Sequence, residues 1–506
     1  MMNAEKVEDG PGPGQAQPAI DLDYILVEEV GQFGKYQLTT LLLAAVPVIF
    51  AAFASGEYIF TTARIPSRCR IPQCDGETPE FRPSWLLNAI NGTSLNSFDN
   101  CAKFANSTQQ HPAPPGTCPN TLFDTSRIVD CEAYVYENTL SVVYDFDMAC
   151  DEWRRSQIGS FVNSYEWFLA LEVIESTVGA GAFSSCYILV MELVGPKYRV
   201  PAGAMISTMF AVGQVLLGFI AWGVPSWRAL TRLLYAPQLL VVTYFWILSE
   251  SIRWLMSKGR YEESETILKK VAKVNKKQLS EKSLEALRTS AEVEKTREKV
   301  KEPWLVVKVF KSKLILFRCI VSPVWWITNT LVYYGMNINA VNLSGNRYLN
   351  YVYVAAIEIP GFWTAVLLLD RVGRKPVLIC GYWLCATCQF AFAFLPEGYE
   401  GLSLTLYLIG KFSIAMVMTS VYLFTAELFP TKYRHTLLAF ASMIGRVGSI
   451  TAPLTPAFAQ EVWEPFPSVL FGSFALLSGL LIFTMPETWR RKLPDTFEEA
   501  EALSRR

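Results

Sequence analysis

Long apolar blocks alternate with short polar turns along most of the chain. Ten blocks approach or exceed the roughly 20 residues that a membrane-spanning helix needs. They cover residues 38–60, 167–194, 200–222, 233–248, 314–336, 349–369, 376–395, 402–426, 436–459 and 467–485. Their apolar residues are continuous rather than confined to one helical face. The pattern therefore predicts an all-α transmembrane protein with about ten spans.

The polar segments set the expected topology. Residues 1–20 are rich in Gly, Pro and Gln and predict a disordered tail, and no cleavable signal peptide is expected at the start. Lys35 precedes the first block, and Lys and Arg gather in residues 250–313. Basic residues favour the cytoplasmic side, so both termini and this linker are predicted inside. Ile267, Val271 and Val274 give the linker helical spacing, and its basic residues could also touch anionic lipid.

Residues 61–157 form a long polar segment that is predicted to lie outside the cell. It contains six cysteines, an even number that is typical of a disulfide-linked extracellular loop. They are Cys69, Cys74, Cys101, Cys118, Cys131 and Cys150. Asn91 and Asn106 begin glycosylation sequons, NGT and NST. Six cysteines allow 15 disulfide connectivities, and the sequence does not choose among them.

Composition and motifs exclude several classes of function. The net charge is -1 and only 18% of residues are charged, so no nucleic-acid partner is indicated. There is no GxxxxGK[ST] loop and no HExxH motif, and the two histidines lie outside the blocks. We expect neither an enzyme nor a metal or cofactor site, which leaves binding and release of a small molecule.

An internal repeat divides the chain into two halves. Residues 192–199, ELVGPKYR, recur as residues 427–434, ELFPTKYR, each at the end of an apolar block. Such parallel repeats are typical of transporters that bind substrate near the membrane midplane between their halves. Four spans precede the second copy within its half, but only two precede the first. The first half therefore lacks two spans and the basic turn between them.

The motifs along the chain resemble those of the organic cation, anion and carnitine transporters of the major facilitator superfamily. The resemblance covers nearly the whole length. Its motifs are FGKYQ at 33–37, PSRC at 66–69, CDEW at 150–153, MELVGPKYR at 191–199, SESIRWL at 249–255, YYG at 333–335, LSGNRYLN at 343–350, EIPGFW at 358–363, DRVGRKP at 370–376, ELFPTKYR at 427–434, GRVGS at 445–449 and PETWRRKLPDT at 486–496. It implies two helical bundles that rock around a central site.

Two departures from the family stand out. Arg68 occupies a position where the family usually has His, and the second family helix, its basic turn and most of the third helix are absent between about residues 157 and 161. Losing two consecutive spans preserves the direction of every later one. We therefore expect a multi-pass plasma-membrane protein with the family's orientation that transports poorly, with this short form retained in the endoplasmic reticulum. The alternative is a non-transporting membrane interaction protein of unknown oligomeric state.

Glu358 and Arg446 are the candidate charges for contacting a ligand, since both lie well inside apolar blocks. A charge there costs about 2.5–3.5 kcal/mol at a helix centre, so it normally faces a cavity or pairs with another charge. The resemblance implies Arg at position 446 in anion and carnitine carriers, and Glu at position 358 in cation carriers. One acid and one base fit a small organic cation or a zwitterion such as a carnitine-like compound. The alternative is that the two residues neutralise each other or other charges.

Aromatic side chains in the second half could hold a quaternary ammonium group by cation–π contact. Of the set Trp325, Trp326, Tyr333, Tyr334, Trp363 and Tyr422, the resemblance favours the adjacent Tyr333 and Tyr334. Gln214 is a weaker substrate-binding candidate. Interfacial preference alone also explains any single ring.

Charged turns at the cytoplasmic helix ends are predicted to form conformational ion pairs or merely to set topology. The candidates are Asp370 with Arg371, Arg374 and Lys375, and the pairs Glu192/Arg199, Glu427/Arg434 and Glu250/Arg253.

Overall fold

The computed structural model describes residues 22–63, 65–95, 97–107, 118–146, 149–150, 181, 183–296, 304–396, 398–430, 433–489, 491, 494 and 497–502. Its helices of six residues or more are labelled in chain order. They are α1 (Lys35–Thr61), α2 (Phe183–Leu193), α3 (Arg199–Gly223), α4 (Trp227–Gln238), α5 (Ile252–Ser257), α6 (Tyr261–Val274), α7 (Glu281–Thr296), α8 (Leu305–Lys311), α9 (Lys313–Asn339), α10 (Arg347–Ala356), α11 (Glu358–Leu369), α12 (Arg374–Ala393), α13 (Glu400–Leu428), α14 (Arg434–Thr451), α15 (Thr455–Glu461), α16 (Phe466–Phe483) and α17 (Phe497–Ala502).

Within the described part of the chain, eight helical segments are long and apolar enough to cross a membrane. They match eight of the ten predicted spans. The block at 167–194 is only partly described, as the shorter apolar helix α2. The predicted span at 233–248 is not one continuous helix. Helix α4 ends at Gln238. A 3₁₀ segment follows at Leu239–Thr243, and α-helical structure resumes at Tyr244–Ile247. Pro237 lies one residue before the end of α4. Its ring clashes with the preceding turn and it has no backbone N–H to donate, so it disfavours regular α-helix at this point.

Two compact units make up the chain. The linker unit comprises Met1–Leu43, Tyr187–Ala202 and Phe245–Glu302. Its apolar cluster joins Leu26 near the N-terminus to Ile252 on α5 and to Leu268 and Val271 on α6. The helix predicted from Ile267, Val271 and Val274 is present as α6, which ends at Val274, and that last residue is exposed.

The span unit comprises Ala44–Cys186, Gly203–Tyr244 and Pro303–Arg506. Its second-half helices pack around α9, which contacts α13, α14 and α16, while α12 packs on α13 and α16. The core is rich in fully buried aromatic side chains, including Trp325, Trp326, Tyr382 and Phe424. The buried polar tips find partners here: both indoles donate to the Thr425 hydroxyl, at 3.4 and 3.2 Å, and the Tyr382 hydroxyl donates to the Trp325 carbonyl oxygen.

The cysteine-rich loop folds into three small antiparallel pairs. β1 (Ser67–Cys69) pairs with β6 (Tyr134–Tyr136), β2 (Gly92–Ser94) with β3 (Ser97–Phe98), and β4 (Ala102–Asn106) with β5 (Phe123–Asp130). The disulfides are Cys69–Cys131, Cys74–Cys118 and Cys101–Cys150. All six predicted cysteines are used, in one of the 15 pairings that the sequence left open.

Arg68, the departure from the family motif, is the polar centre of this loop. Its side chain is fully buried and holds Asp75 with two hydrogen bonds of 2.8 and 2.6 Å. The same guanidinium donates to the carbonyl oxygens of Phe81 and Cys69 and lies over the Trp85 ring. A planar group with five donors can satisfy this set, whereas a histidine at this position could not donate all these bonds.

Candidate functional site

Glu358 lies at the start of α11 and is completely buried. Lys411 on α13 is equally buried, and its Nζ lies 2.9 Å from Glu358 Oε1. The Tyr333 hydroxyl donates to the other carboxylate oxygen. Lys411 Nζ also donates to the Tyr333 carbonyl oxygen at 2.8 Å, and Oε1 meets Lys411 without a well-aligned hydrogen bond. The contact between Lys411 and Glu358 is therefore an ion pair.

Tyr333 connects the two charged groups. Its ring lies 3.7 Å from Lys411 Nζ, a close cation–π contact, while its hydroxyl faces Glu358. The three groups leave no side-chain surface for a ligand in this conformation, because all are buried. The negative charge of Glu358 is neutralised by Lys411, a residue that the sequence analysis did not single out.

Arg446 lies on α14 and is exposed, unlike Glu358. Its guanidinium interacts with the Tyr334 hydroxyl group and lies within electrostatic reach of Tyr422. Both tyrosines are partly exposed. Arg446 and Tyr334, which were separate candidates in the sequence analysis, therefore lie together with Tyr422. Glu358 and Arg446 do not form an ion pair with each other.

The glycines of the GRVGS motif fix the direction of Arg446. A Cβ at Gly445 would lie 2.9 Å from the Trp326 Cβ, and one at Gly448 would overlap the Ile327 carbonyl oxygen. The Thr330 hydroxyl also donates to the Gly445 carbonyl oxygen. Close backbone contact with α9 therefore requires both glycines and turns Arg446 away from that contact.

Gln214, the weaker substrate candidate, is buried in a contact between α3 and α9. Its side-chain oxygen accepts a hydrogen bond of 3.1 Å from Asn337. Trp363 on α11 likewise donates to Thr208 on α3 at 3.2 Å. Both hydrogen bonds join helices from the two repeat halves. In this conformation Gln214 therefore contacts α9.

The basic turn after α11 forms ion pairs as expected, but with its own set of partners. Arg374 pairs with Asp370 at 3.1 Å and with Glu427 at 3.2 Å. Glu487 accepts hydrogen bonds from the backbone nitrogens of Arg374 and Lys375, at 3.1 and 3.0 Å, and so caps α12. Arg374 is thus a partner of Glu427 that the sequence analysis did not name. Arg434 donates to the Ala426 carbonyl oxygen, and Arg371 is exposed.

The predicted first-half pairs are also wrong in their partners. Arg199 and Arg253 both bind Asp23, which lies in the segment before α1. Glu192 accepts instead from the Ser251 hydroxyl. The physical reason is a third carboxylate, that of Asp23, which satisfies both arginines at once.

Several buried polar residues in the spans escaped the sequence analysis, among them the fully buried Arg318. Lys411 and Asn337 lie in blocks that were treated as apolar, as does Glu57 on α1, which accepts a 2.7 Å hydrogen bond from Thr231. A single charge inside a spanning block is itself a functional signal. Applying that rule to every block would have found Lys411 and Glu57.

Asn91 and Asn106 of the two sequons are both exposed, so a glycosyltransferase could reach them. Among the described residues, no group of three or more His, Cys, Asp or Glu side chains is arranged to hold a metal ion.

Comparison with known proteins identifies the family to which this chain is related. Residues 162–500 match the model of the family described as sugar (and other) transporter. The organic cation transporter protein of Drosophila melanogaster is 28% identical over 95% of this chain and 95% of its own length. Solute carrier family 22 member 3 of Mus musculus is 31% identical over 94% of this chain and 95% of its own length. These alignments extend over 538 and 537 residues, more than the 506 of this chain, so both relatives contain residues that have no counterpart here.

The fold comparison agrees. The inward-open xylose transporter XylE from E. coli aligns with a TM-score of 0.51 and 18% identity over 70% of this chain and 78% of that chain. These comparisons agree with the internal repeat and with the eight candidate spans among the described residues. The chain belongs to solute carrier family 22 of the major facilitator superfamily, a family of multi-pass membrane transporters and not of enzymes.

Proposed function

We propose that the protein carries small organic ions that bear a carboxylate across the plasma membrane, by alternating access around a site formed by Arg446, Tyr334 and Tyr422. One observation carries the proposal: Arg446 is the exposed charge of the central constellation, while Glu358 is buried and neutralised by Lys411. A guanidinium meets a carboxylate with two parallel hydrogen bonds, which fixes both affinity and orientation.

A zwitterion with a quaternary ammonium group fits this site better than a simple cation. Its carboxylate would bind Arg446, and its ammonium would lie over the partly exposed rings of Tyr334 and Tyr422, at a gain of about 0.5–2 kcal/mol per ring. A cation without the carboxylate would meet the positive charge of Arg446 with nothing to offset it. Glu358 would attract the ammonium only weakly, because Lys411 neutralises its negative charge.

The charged turns supply the conformational step. Arg374 holds Asp370 and Glu427, which lie at the ends of α11 and α13. Breaking such contacts in one state and remaking them in the other is the usual way that packed bundles switch. The rocking halves would expose Arg446 to each side of the membrane in turn.

Replacing Arg446 by aspartate tests the proposal. Uptake of carboxylate-bearing ammonium compounds should fall more than uptake of simple cations, and about tenfold or more in apparent affinity, since a hydrogen bond between charged groups is worth roughly 1.5–3 kcal/mol. Arg347→Asp at the start of α10 is the matched control. The measurement should be made in this chain and in a version with the family's helix pair restored.

An equal loss for both substrate classes would refute the role of Arg446. The second candidate function, an interaction protein that does not transport, is supported by the absence of a first-half counterpart to the Asp370–Lys375 turn. Saturable uptake into intact cells by the chain as it stands would exclude that function.

A further inference from the structure

The ion pair between Glu358 and Lys411 lies deep inside two spans. Glu358 is the central residue of the span Arg347–Leu369, and Lys411 belongs to the span Glu400–Leu428. Neither side chain has any exposed surface. An uncompensated charge at that depth is costly, and the sites at which transporters bind coupling ions lie near the same level. The Lys411 ammonium therefore lies at the depth where such ions bind.

The Lys411 ammonium is surrounded by groups that attract a dehydrated cation. Its Nζ lies 2.9 Å from Glu358 Oε1, 2.8 Å from the Tyr333 carbonyl oxygen and 3.7 Å from the centre of the Tyr333 ring. A carboxylate, a backbone carbonyl and an aromatic face all attract a monovalent cation, whatever molecule carries it. These surroundings form a cation site whose occupant is part of the protein.

Polar oxygens are in excess around the pair. Glu358 Oε1, Gln389 Oε1 and the Tyr351 hydroxyl are buried and have no hydrogen-bond partner among the described residues. Gln389 packs beside Gly410, the residue before Lys411, and Tyr351 lies within electrostatic reach of Glu358. Buried polar atoms normally find partners, so this surplus needs an explanation. A free cation has no fixed bond directions and can use oxygens that the three N–H bonds of one ammonium do not reach.

The helix that carries Glu358 is interrupted at this point. α10 ends at Ala356 and α11 begins at Glu358, with Ile357 between them. Pro360 has no backbone N–H to donate to the carbonyl oxygen of Ala356, four residues earlier, which accounts for the break. Interrupted spanning helices free backbone groups that bind ions in transporters. The break is therefore a second, independent sign of an ion site at Glu358.

We propose that Lys411 is a tethered cation that fills a binding site for a free monovalent cation, formed by Glu358 with the carbonyl oxygen and ring of Tyr333. The charge of the site is complete without any ion from solution, so transport by this chain needs no Na⁺ or K⁺. A chain with a small neutral residue at position 411 takes up a free cation at the same place. The inference goes beyond the proposed function, because it concerns neither Arg446 nor the carboxylate of the substrate.

A purely structural ion pair is the alternative. It predicts that loss of Lys411 destabilises the protein equally in every salt, since no dissolved ion replaces the side chain. A cation site predicts that a suitable ion restores part of the loss, provided that the vacated space admits it. Alanine leaves that space open, whereas methionine fills most of it without charge. The two substitutions therefore separate the alternatives.

The test follows thermal unfolding of the full chain in nanodiscs, in chloride salts of Na⁺, K⁺, methylammonium and N-methylglucamine at constant ionic strength. N-methylglucamine is the reference, because it is too large for the site. In Lys411→Ala we expect at least one small cation to raise the unfolding midpoint by roughly 3–5 °C for each tenfold increase above its dissociation constant. The wild type and the matched control Lys411→Met should respond to none of them.

Adding Glu358→Gln to Lys411→Ala should abolish the response, because the amide offers no charge to a cation. Equal midpoints for Lys411→Ala in all four salts would overturn the inference, and so would a wild type that Na⁺ or K⁺ stabilises above N-methylglucamine. Lys411→Ser, which also vacates the site, serves if Lys411→Ala does not fold. Because stability is measured, these outcomes do not depend on whether Arg446 binds a carboxylate.

Discussion

Replacing Lys411 by methionine should destabilise the protein severely. Both members of the Lys411–Glu358 pair are fully buried, 2.9 Å apart. Methionine keeps most of the length of the side chain but removes the ammonium, which leaves the carboxylate with the Tyr333 hydroxyl alone. Removing one partner of a buried pair costs about 3–5 kcal/mol. At roughly 2–4 °C per kcal/mol, the unfolding temperature should fall by on the order of 10 °C.

A second substitution should reverse most of that loss. In Lys411→Met with Glu358→Gln, the neutral amide oxygen still accepts from Tyr333 and no charge is left buried. Arg82→Met is the control, because Arg82 pairs with Glu137 at 2.9 Å on the surface, where such a pair is worth about 1 kcal/mol or less. Unfolding can be followed in detergent by the reaction of buried thiols such as Cys385.

Two outcomes would refute this reasoning. If Lys411→Met is as mild as Arg82→Met, the ammonium contributes nothing to holding Glu358. If the double variant is less stable than Lys411→Met alone, Glu358 does not need a counter-charge in the folded protein.

Three further predictions concern other parts of the chain. An N-glycosidase should increase gel mobility, and Asn91→Gln with Asn106→Gln should abolish that change; a wild type that the enzyme does not alter would contradict an extracellular loop. Hydrogen bonds from Lys269 and Arg288 lower the pKa of Glu265 in the folded chain. The stability that Glu265 contributes is therefore present above its unfolded-state pKa and is lost as pH falls through its folded-state pKa. Glu265→Gln should flatten the acid side of the plot of unfolding free energy against pH, and an unchanged plot would contradict this role of Glu265. Surface labelling should find less of this chain than of a version with two helices restored between residues 157 and 161, while equal amounts with equal uptake would show that the helix pair is dispensable.

Features written in local sequence could be predicted, and those that depend on helix register could not. Apolar blocks located eight spans. The GRVGS motif placed Arg446 between two glycines, but the sequence did not show that these glycines pack against α9. The pairing of Lys411 with Glu358 could not be predicted, because the two residues lie 53 positions apart on different helices and only the packing of α11 on α13 brings them together. Asp23 was missed for the same reason, since neither arginine that it binds is near it in sequence.

The capping of α12 by Glu487 has a consequence for how the protein is made. The first turn of α12 emerges from the ribosome more than a hundred residues before the carboxylate that accepts its backbone hydrogen bonds. During synthesis the backbone N–H groups of that turn therefore lack this cap until the last span has been inserted and Glu487 has been synthesised. A stop codon just after Met485 would yield every described span yet leave α12 permanently unfinished. The segment after the last span is thus needed to complete α12, and we expect the cell's degradation machinery to detect its loss even though none of the described spans of that half is missing.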